Sequence, residues 1–323
     1  MNFGIALIGT GNIAEEHARA INDVRGARLV GVLSHDAGRA SEFARKYQCK
    51  GYRDLKGLLE DTEVAVVDIV NQNYLHADFA LKCIHAGKHV IIEKPIDVNV
   101  KKAKMMVREA QKKNVAVTVI SQYRFGRAYQ KLKKMADNKE FGTLLMGVVV
   151  IGKSRGDKDY IGWRGRKKEA GGGVLMMNAV HYINILRWIF GDILEVKGEV
   201  STLTHNIGVE DAGGVLIKFK NGAIGIIAAT TSLPFNIADR VEVYGSKCSL
   251  IIEGGRITKS YRKNRAYSTL SSNLDKLRLT RNGKIQEQIT NFISFLNGKE
   301  KLEINGEEGV KDLEIIEKIY KES

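Results

Sequence analysis

Three stretches carry side chains whose type and spacing could do chemistry. The first is Val90-Ile91-Ile92-Glu93-Lys94-Pro95-Ile96, a short apolar run that stops at a lysine and one of only two prolines. Such a run reads as a buried strand. A lysine at its carboxyl end lies where open α/β sheets bind their ligands, which would let Lys94 face a cofactor and a substrate. Taken alone, the seven residues favour the plainer alternative, a lysine snorkelling from a strand end.

The second stretch is Gly9-Thr10-Gly11-Asn12-Ile13-Ala14, a G-x-G-x-x-A turn directly after an apolar strand. Gly9 permits the tight turn, Gly11 lets backbone approach a pyrophosphate, and Ala14 allows close helix–strand packing. The N–H groups of the helix that follows would face the phosphates. About 20 residues further on, where a carboxylate would grip the ribose diol of NAD, the chain has Ser34, then His35, Asp36 and Arg39. A hydroxyl does not chelate a diol and Arg39 could pair with a 2′-phosphate, so NADP is favoured over NAD, with Asp36 still able to reach a ribose.

The third is Gly171-Gly172-Gly173 ahead of an apolar helix at 174–190 that carries Asn178, His181 and Asn184. Spacings of three bring these polar groups close along the helix, and Met177 shares a turn face with His181. Polar groups on an apolar helix need partners, and a triple glycine lets something approach the backbone closely. A satisfied core histidine behind capping glycines explains the pattern equally well. The preceding loop, Tyr160-Ile161-Gly162-Trp163-Arg164, offers aromatic and basic groups able to cover a sugar and an anion.

These stretches must be positioned by larger elements. Strand patterns at 5–8, 28–33, 64–70, 89–92 and 115–120 alternate with helical ones at 12–22, 38–47, 75–86 and 98–113. Such alternation predicts a parallel, doubly wound Rossmann-type α/β sheet. The strand at 64–70 runs into Asn71-Gln72-Asn73-Tyr74-Leu75-His76, with Asn73 as expected N-cap of the next helix and His76 in a cofactor-contacting or a packing role. After Ser121-Gln122-Tyr123-Arg124 and an amphipathic helix, strands are expected at 144–151, 195–204, 213–220, 223–231, 240–244 and 249–253, and helices at 286–296 and 309–321. That order predicts an α+β domain with a largely antiparallel open sheet, so the chain divides into a dinucleotide-binding domain, 1–121, and a substrate and oligomerisation domain, 122–323.

At 323 residues, 44% hydrophobic and 27% charged, the chain can bury two cores. Nothing at the N-terminus predicts a secretory leader, and no apolar run approaches the ~20 residues of a membrane span. Cys49, Cys83 and Cys248 lack metal-ligand spacing and read as reduced thiols of a cytoplasmic protein. The net charge of +14 gathers in two places. Residues 256–284 hold nine Lys/Arg and one acid, and Arg164-Gly165-Arg166-Lys167-Lys168 adjoins the third stretch. No nucleic-acid module accompanies them, and basicity alone does not decide the partner; the basic loop beside the third stretch motivates a small anionic substrate, with no nucleic-acid or membrane partner expected.

Together, Gly9-x-Gly11-x-x-Ala14, Ala86-Gly87-Lys88-His89-Val90, Glu93-Lys94-Pro95 and Gly171-Gly172-Gly173 with His181 resemble the glucose–fructose oxidoreductase/inositol dehydrogenase/rhizopine-catabolism (Gfo/Idh/MocA) family over essentially the whole chain. Glu210-Asp211, Asn221-Gly222-Ala223 and Ile319-Tyr320 extend the likeness, and Trp163 with Ala229-Thr230-Thr231-Ser232 looks most like its nucleotide-sugar branch. The resemblance implies hydride exchange between a nicotinamide cofactor, NAD(P)(H), and a carbon of a sugar, polyol or nucleotide-linked sugar. It implies Lys94 near the reacting hydroxyl and His181 as the general base of oxidation, a role that suits an imidazole near neutral pH. It further implies cofactor contacts from Gly9, Thr10, Gly11, Asn12, Ile13, Ser34, Arg39, Asn71, Asn73, His76, Glu93, Lys94 and Gln122, substrate contacts from Arg124, Tyr160, Trp163, Arg164 and Asn178, no metal, and a homodimer or homotetramer.

The sequence departs from the family pattern in two places. Met177 stands where relatives carry Asp or Asn four residues before the histidine, and Asn71-Gln72-Asn73 replaces the usual T-P-N. Either Asn178 substitutes through a shift of helix register, or Lys94 and His181 work without that partner. Two other functions fit the same residues: a reductase of a non-sugar carbonyl or dihydrodiol, and a catalytically silent cofactor-binding sensor, which Met177 would suit.

Overall fold

The computed structural model describes residues 2–262, 265–268 and 281–323. Much of the basic stretch at 256–284 therefore lies outside the described residues. Two compact units divide the chain, Met1–Gln122 with Thr280–Leu313, and Tyr123–Leu279 with Glu314–Ser323.

In the first unit, β1 (Phe3–Ile8), β2 (Ala27–Leu33), β3 (Lys50–Tyr52), β4 (Val64–Ile69), β5 (His89–Ile92) and β6 (Val117–Val119) form a six-stranded sheet in the order β3-β2-β1-β4-β5-β6. Every pairing is parallel. Helices α1 (Asn12–Asn22), α2 (Ala37–Tyr47), α3 (Leu55–Glu60), α4 (His76–His85) and α5 (Val100–Lys112) connect the strands. This is the doubly wound order, whose reversal point between β1 and β4 is where dinucleotides bind. The sequence reading lacked β3 and α3. The first is three residues long and mostly exposed and the second six, too short for either period to register.

Residues 280–313 were expected in the second domain but belong to the first unit. The helix Arg281–Leu296 sets Ile285, Ile289, Phe292 and Ile293 into the same core as Ala14, Ala18 and Ile21 of α1. Its Gln288 also closes the end of β6, accepting from the Ser121 N–H at 2.9 Å and donating to the Val119 carbonyl at 2.8 Å. Helical periodicity shows that such a face must be buried, but not against which sheet.

The second unit is an eight-stranded sheet of β7 (Leu144–Gly152), β8 (Ile193–Ser201), β9 (Ala212–Phe219), β10 (Ile224–Thr230), β11 (Arg240–Gly245), β12 (Cys248–Glu253), β13 (Arg256–Arg262) and β14 (Arg265–Ser268). Their order is β14-β13-β12-β11-β7-β10-β9-β8, antiparallel except where β7 pairs with β10. Helices α6 (Arg127–Asp137), α7 (Lys167–Ala170) and α8 (Val180–Phe190) complete it with the end of the late helix Gly306–Glu322. One sheet face is covered, with Phe190 of α8 stacked on Phe219 of β9 at 4.9 Å. On the other, Leu216 and Ile226 are direct cross-strand partners and both are exposed, as is Ile224.

Candidate functional site

In the first unit the site residues gather at the carboxyl edge of the parallel sheet. Gly9 has φ +125°, and a Cβ there would come within 2.9 Å of the Val70 carbonyl oxygen, so the turn needs glycine for conformation and for space. At Gly11 a Cβ would meet nothing within 4 Å, and this residue caps α1 without a side-chain hydrogen bond. Open space above an uncapped helix start, with Asn12 and Ile13 in its first turn, fits a pyrophosphate. The Thr10 and Ser34 hydroxyls lie 3.0 Å apart, and the Arg39 guanidinium donates to the Thr10 carbonyl at 2.8 Å. The Asp36 carboxylate is engaged elsewhere, accepting from the Arg39 N–H as cap of α2. That hydrogen bond holds its carboxyl below the usual carboxylate range.

At the neighbouring strand ends, Asn71 Oδ1 and Gln122 Oε1 are buried with no hydrogen-bond partner among the described residues. Orphaned buried acceptors in a native fold call for a ligand or water. Together with the Gly11 opening they make this edge fit for a nicotinamide dinucleotide.

Three side chains at this edge are engaged within the protein. Asp97, from a segment 20 residues away, accepts the Ala77 N–H at 2.9 Å in the first turn of α4. His76 is fully buried, its Nδ1 2.8 Å from the Pro95 carbonyl oxygen and its Nε2 3.2 Å from that of Asn71. Burial lowers its pKa, and a ring tied to two carbonyls takes the packing role of the two expected. Glu93 is nearly buried and both its oxygens are occupied within the protein. Oε2 accepts the Lys94 backbone N–H at 2.9 Å, and Oε1 lies 3.2 Å from His17 Nε2. Lys94 itself is half-buried and joined to Pro95 by a cis peptide.

In the second unit the expected helix at 174–190 begins instead as a π-helical turn, Leu175–Ala179, in which the Val180 N–H reaches the Leu175 carbonyl. Such wide turns are frequent at functional sites, and this one removes regular α spacing between Met177, Asn178 and His181. The group that approaches the triple glycine closely is the protein's own Glu210. Its carboxylate accepts the Gly173 and Leu175 N–H groups at 2.7 and 3.0 Å and the Tyr320 hydroxyl at 2.6 Å. A Cβ on Gly173 would fall 1.7 Å from the Glu210 carbonyl oxygen.

The three polar residues of the helix meet three different segments. Asn184 accepts from Arg124 Nε at 2.6 Å, and that guanidinium lies 5.4 Å from the Trp188 ring. Arg124, expected to bind substrate, is thereby buried and tied down. The half-buried His181 stacks on Tyr123 at 4.6 Å, a contact that sequence spacing does not show. Asn178 Oδ1 lies 3.4 Å from Arg155 Nη2.

Arg155 was missed, because a lone arginine in a loop carries no local signal. Its backbone is held at both ends, the N–H donating to the Thr231 carbonyl at 3.0 Å and the carbonyl facing His205 Nε2 at 2.8 Å. His205 Nδ1 in turn lies 2.9 Å from the buried Asp211 carboxylate. Burial opposes charge on His205, but the Arg155 carbonyl and Asp211 outweigh it and raise its pKa. Tyr160 is buried under His205, its hydroxyl 2.5 Å from Thr231 Oγ1. Arg164, exposed at the surface, stacks on Trp163 at 4.8 Å; its pKa is lowered first by desolvation where the side chain packs and then by the like charge of Arg155. The Arg155 guanidinium beside Asn178 is a donor of the kind that pairs with anions. Of the neighbouring basic residues, Arg166 pairs with Glu169 and Lys167 lies over Tyr320.

Comparison with known proteins agrees with these two halves. Residues 3–121 match the oxidoreductase family with an NAD-binding Rossmann fold, GFO/IDH/MocA, and residues 129–251 match the GFO/IDH/MocA C-terminal domain. Myo-inositol 2-dehydrogenase of Thermotoga maritima is 28% identical over 261 residues, 79% of this chain and 76% of the relative. Glucose-6-phosphate 3-dehydrogenase of Bacillus subtilis is 26% identical over 256 residues, 75% of this chain and 72% of the relative. Among solved structures, the WlbA dehydrogenase of Chromobacterium violaceum in complex with NADH and UDP-GlcNAcA superposes with a TM-score of 0.87 at 27% identity, covering 99% of this chain and 93% of that one. With matches across both its N- and C-terminal domains, the chain belongs to the GFO/IDH/MocA oxidoreductase family.

Proposed function

We propose that the protein exchanges hydride between NADP(H), taken in preference to NAD(H), and a carbon of an anionic sugar, of the nucleotide-linked or sugar-phosphate kind. The broader class, an NAD(P)-dependent oxidoreductase acting on sugar or polyol hydroxyls, comes with the family. The observation that carries the anionic reading is the Arg155 guanidinium beside Asn178, three residues before His181. Two relatives act on or bind anionic sugars, glucose 6-phosphate and UDP-GlcNAcA. NADP preference is supported by Arg39 lying over the Thr10 carbonyl while Ser34 offers no carboxylate to a ribose diol.

The nicotinamide, when bound, supplies the site that takes hydride from the carbinol carbon. The chain's own residues then handle the proton and the charge. As the hydroxyl loses hydride from its carbon, its proton passes to an imidazole nitrogen of His181, and the Lys94 ammonium stabilises the alkoxide that develops. Reduction runs the same steps backwards. The Tyr123 stack would hold the His181 ring in one plane, the task the family resemblance implies for an Asp or Asn at position 177. Arg155 and Arg164 would bind the substrate's anionic group, with Trp163 and Tyr160 framing the loop.

The test is a panel of nucleotide sugars, sugar phosphates and neutral polyols, followed through nicotinamide absorbance with each cofactor. Turnover confined to the anionic members is expected; turnover of neutral sugars, or of a dihydrodiol or non-sugar carbonyl unaffected by anionic competitors, would replace this reading. Met177 favours a second one, a silent cofactor-binding protein. Tight cofactor binding, no turnover with any member, and a His181→Ala variant indistinguishable from the parent would establish it.

The same proposal extends to assembly and location. Leu216, Ile224 and Ile226, rimmed by Lys197, Lys218 and Glu195, make the exposed sheet face a surface for a second copy of the chain, read by sedimentation. Among the described residues no helix is long and apolar enough to cross a membrane. A cytoplasmic location, expected from three free cysteines, is part of the proposal.

A further inference from the structure

The core of the first unit holds a polar triad. On the buried face of α1, His17 follows Ala14 and precedes Ala18 and Ile21, and it is entirely shielded from solvent. Its Nδ1 lies 2.7 Å from Asp68 Oδ2 on β4, and its Nε2 lies 3.2 Å from Glu93 Oε1 just past β5. Asp68 is likewise fully buried, on a strand that otherwise reads Val-Ala-Val-Val and Ile, and its Oδ1 has no hydrogen-bond partner among the described residues. Three ionisable groups in an apolar core cost stability unless they are mutually paired, so their presence needs a reason beyond packing.

The geometry supplies one. The strand β5 ends level with its neighbours, Ile92 pairing with Ile69 of β4 and Val119 of β6, and the second N–H beyond that end belongs to Lys94. It is taken by Glu93 Oε2, while the other oxygen of the same carboxylate is turned to His17. The carboxylate is therefore fixed at both ends, and through it the backbone from which the Lys94 side chain departs. The Glu93 N–H remains in the sheet, donating to the Ile69 carbonyl at 2.9 Å, so the strand is regular up to that point.

We propose that His17 is a positioning residue for Lys94: clamped between Asp68 and Glu93, it orients the carboxylate that sets the backbone of the strand-end lysine. Its importance for turnover rests on the role proposed for Lys94, but the arrangement itself does not. The charged groups facing His17 are Asp68 from β4 and Glu93 from the end of β5; the two carboxylates outnumber the one imidazole and favour its protonated form.

The experiment reads Lys94 directly in the full chain, by trace acylation with acetic anhydride and mass spectrometry of the Lys94 peptide relative to exposed Lys113. Dissociation constants for NADH and NADPH are measured alongside. His17→Gln and Glu93→Gln should each change the relative acylation rate of Lys94 by about threefold or more, the scale of one hydrogen bond. Asp68→Asn should act in the same direction and less, being one bond further away. A lowered melting temperature with unchanged relative reactivity of Lys94 in the His17 and Glu93 variants would reduce the triad to structural glue and overturn the proposal. So would an effect of Glu93→Gln that His17→Gln does not share. If His17→Gln fails to fold, Glu93→Gln and Asp68→Asn decide, both being required to shift Lys94. Because none of these readouts requires a substrate, a protein that turns over no sugar could still satisfy them, and an active one could still fail them.

Discussion

The candidate residues of the two units are positioned on different principles. At the cofactor edge, short consecutive runs do the work: Gly9 to Ala14 makes the turn, and Glu93 and Lys94 end a strand whose place in the sheet follows from topology. Around His181 the partners come from elsewhere, Tyr123 from before α6, Arg155 from after β7, Glu210 from before β9 and Tyr320 from the last helix. In a parallel sheet the chain returns to the same edge after every strand, so local motifs converge there without long-range information. In an antiparallel sheet with segregated helices, convergence depends on which loops meet, and a motif announces only its own member.

The comparison is tested most sharply by removing one member from each half. Lys94→Met and His181→Ala should each lower kcat by about 10²- to 10⁴-fold, the range for losing a proton-transfer or charge-stabilising group. If only one substitution has that effect, the halves do not contribute to one reaction, and the reading of the silent half fails.

A second test uses pH against the buried triad. Burial alone would lower the His17 pKa, but Asp68 and then Glu93 outweigh it and raise it from 6.5 to about 10. A raised histidine stabilises the fold fully below its unfolded value and loses that contribution as pH climbs through the folded one. Urea midpoints should therefore fall between about pH 6.5 and 10 in the parent, and His17→Gln should be flatter across that window. Burial also pushes the Asp68 carboxyl up, with His17 opposing, so the His17→Gln comparison, and not the parent slope alone, isolates the histidine. Equal slopes in parent and variant would mean that His17 is neutral in the fold.

These contrasts also explain what the sequence could disclose. The strands and helices around G-x-G-x-x-A were legible because continuous apolar runs and 3.6-residue periods survive in a sheet buried on both faces. His17 was not, although it sits three residues past that motif, because its meaning lies in Asp68 and Glu93, 51 and 76 residues away. The triple glycine was legible as a place of close approach, yet the approaching group proved to be Glu210 rather than a ligand. Gly173→Ala should accordingly act on stability, costing about 1–3 kcal/mol or more as the Glu210 backbone is pushed away, with a matching fall in melting temperature. An unchanged melting temperature would show that the glycine serves something other than that contact.

The smallest effect separates Arg39 from its neighbour Asp36, the two residues between which the sequence left the cofactor undecided. In the fold, Asp36 is tied to the start of α2 and Arg39 reaches back to the Thr10 carbonyl, so under the proposed NADP preference Arg39 is the residue to test against a 2′-phosphate. A charge-assisted contact of that kind corresponds to about tenfold in affinity, so Arg39→Ala should weaken NADPH by roughly that factor and NADH hardly at all. Fluorescence titration of both cofactors measures the difference. Equal weakening of both would mean that Arg39 acts by holding the phosphate turn through Thr10, which would return the cofactor edge to the same non-local construction as the histidine half.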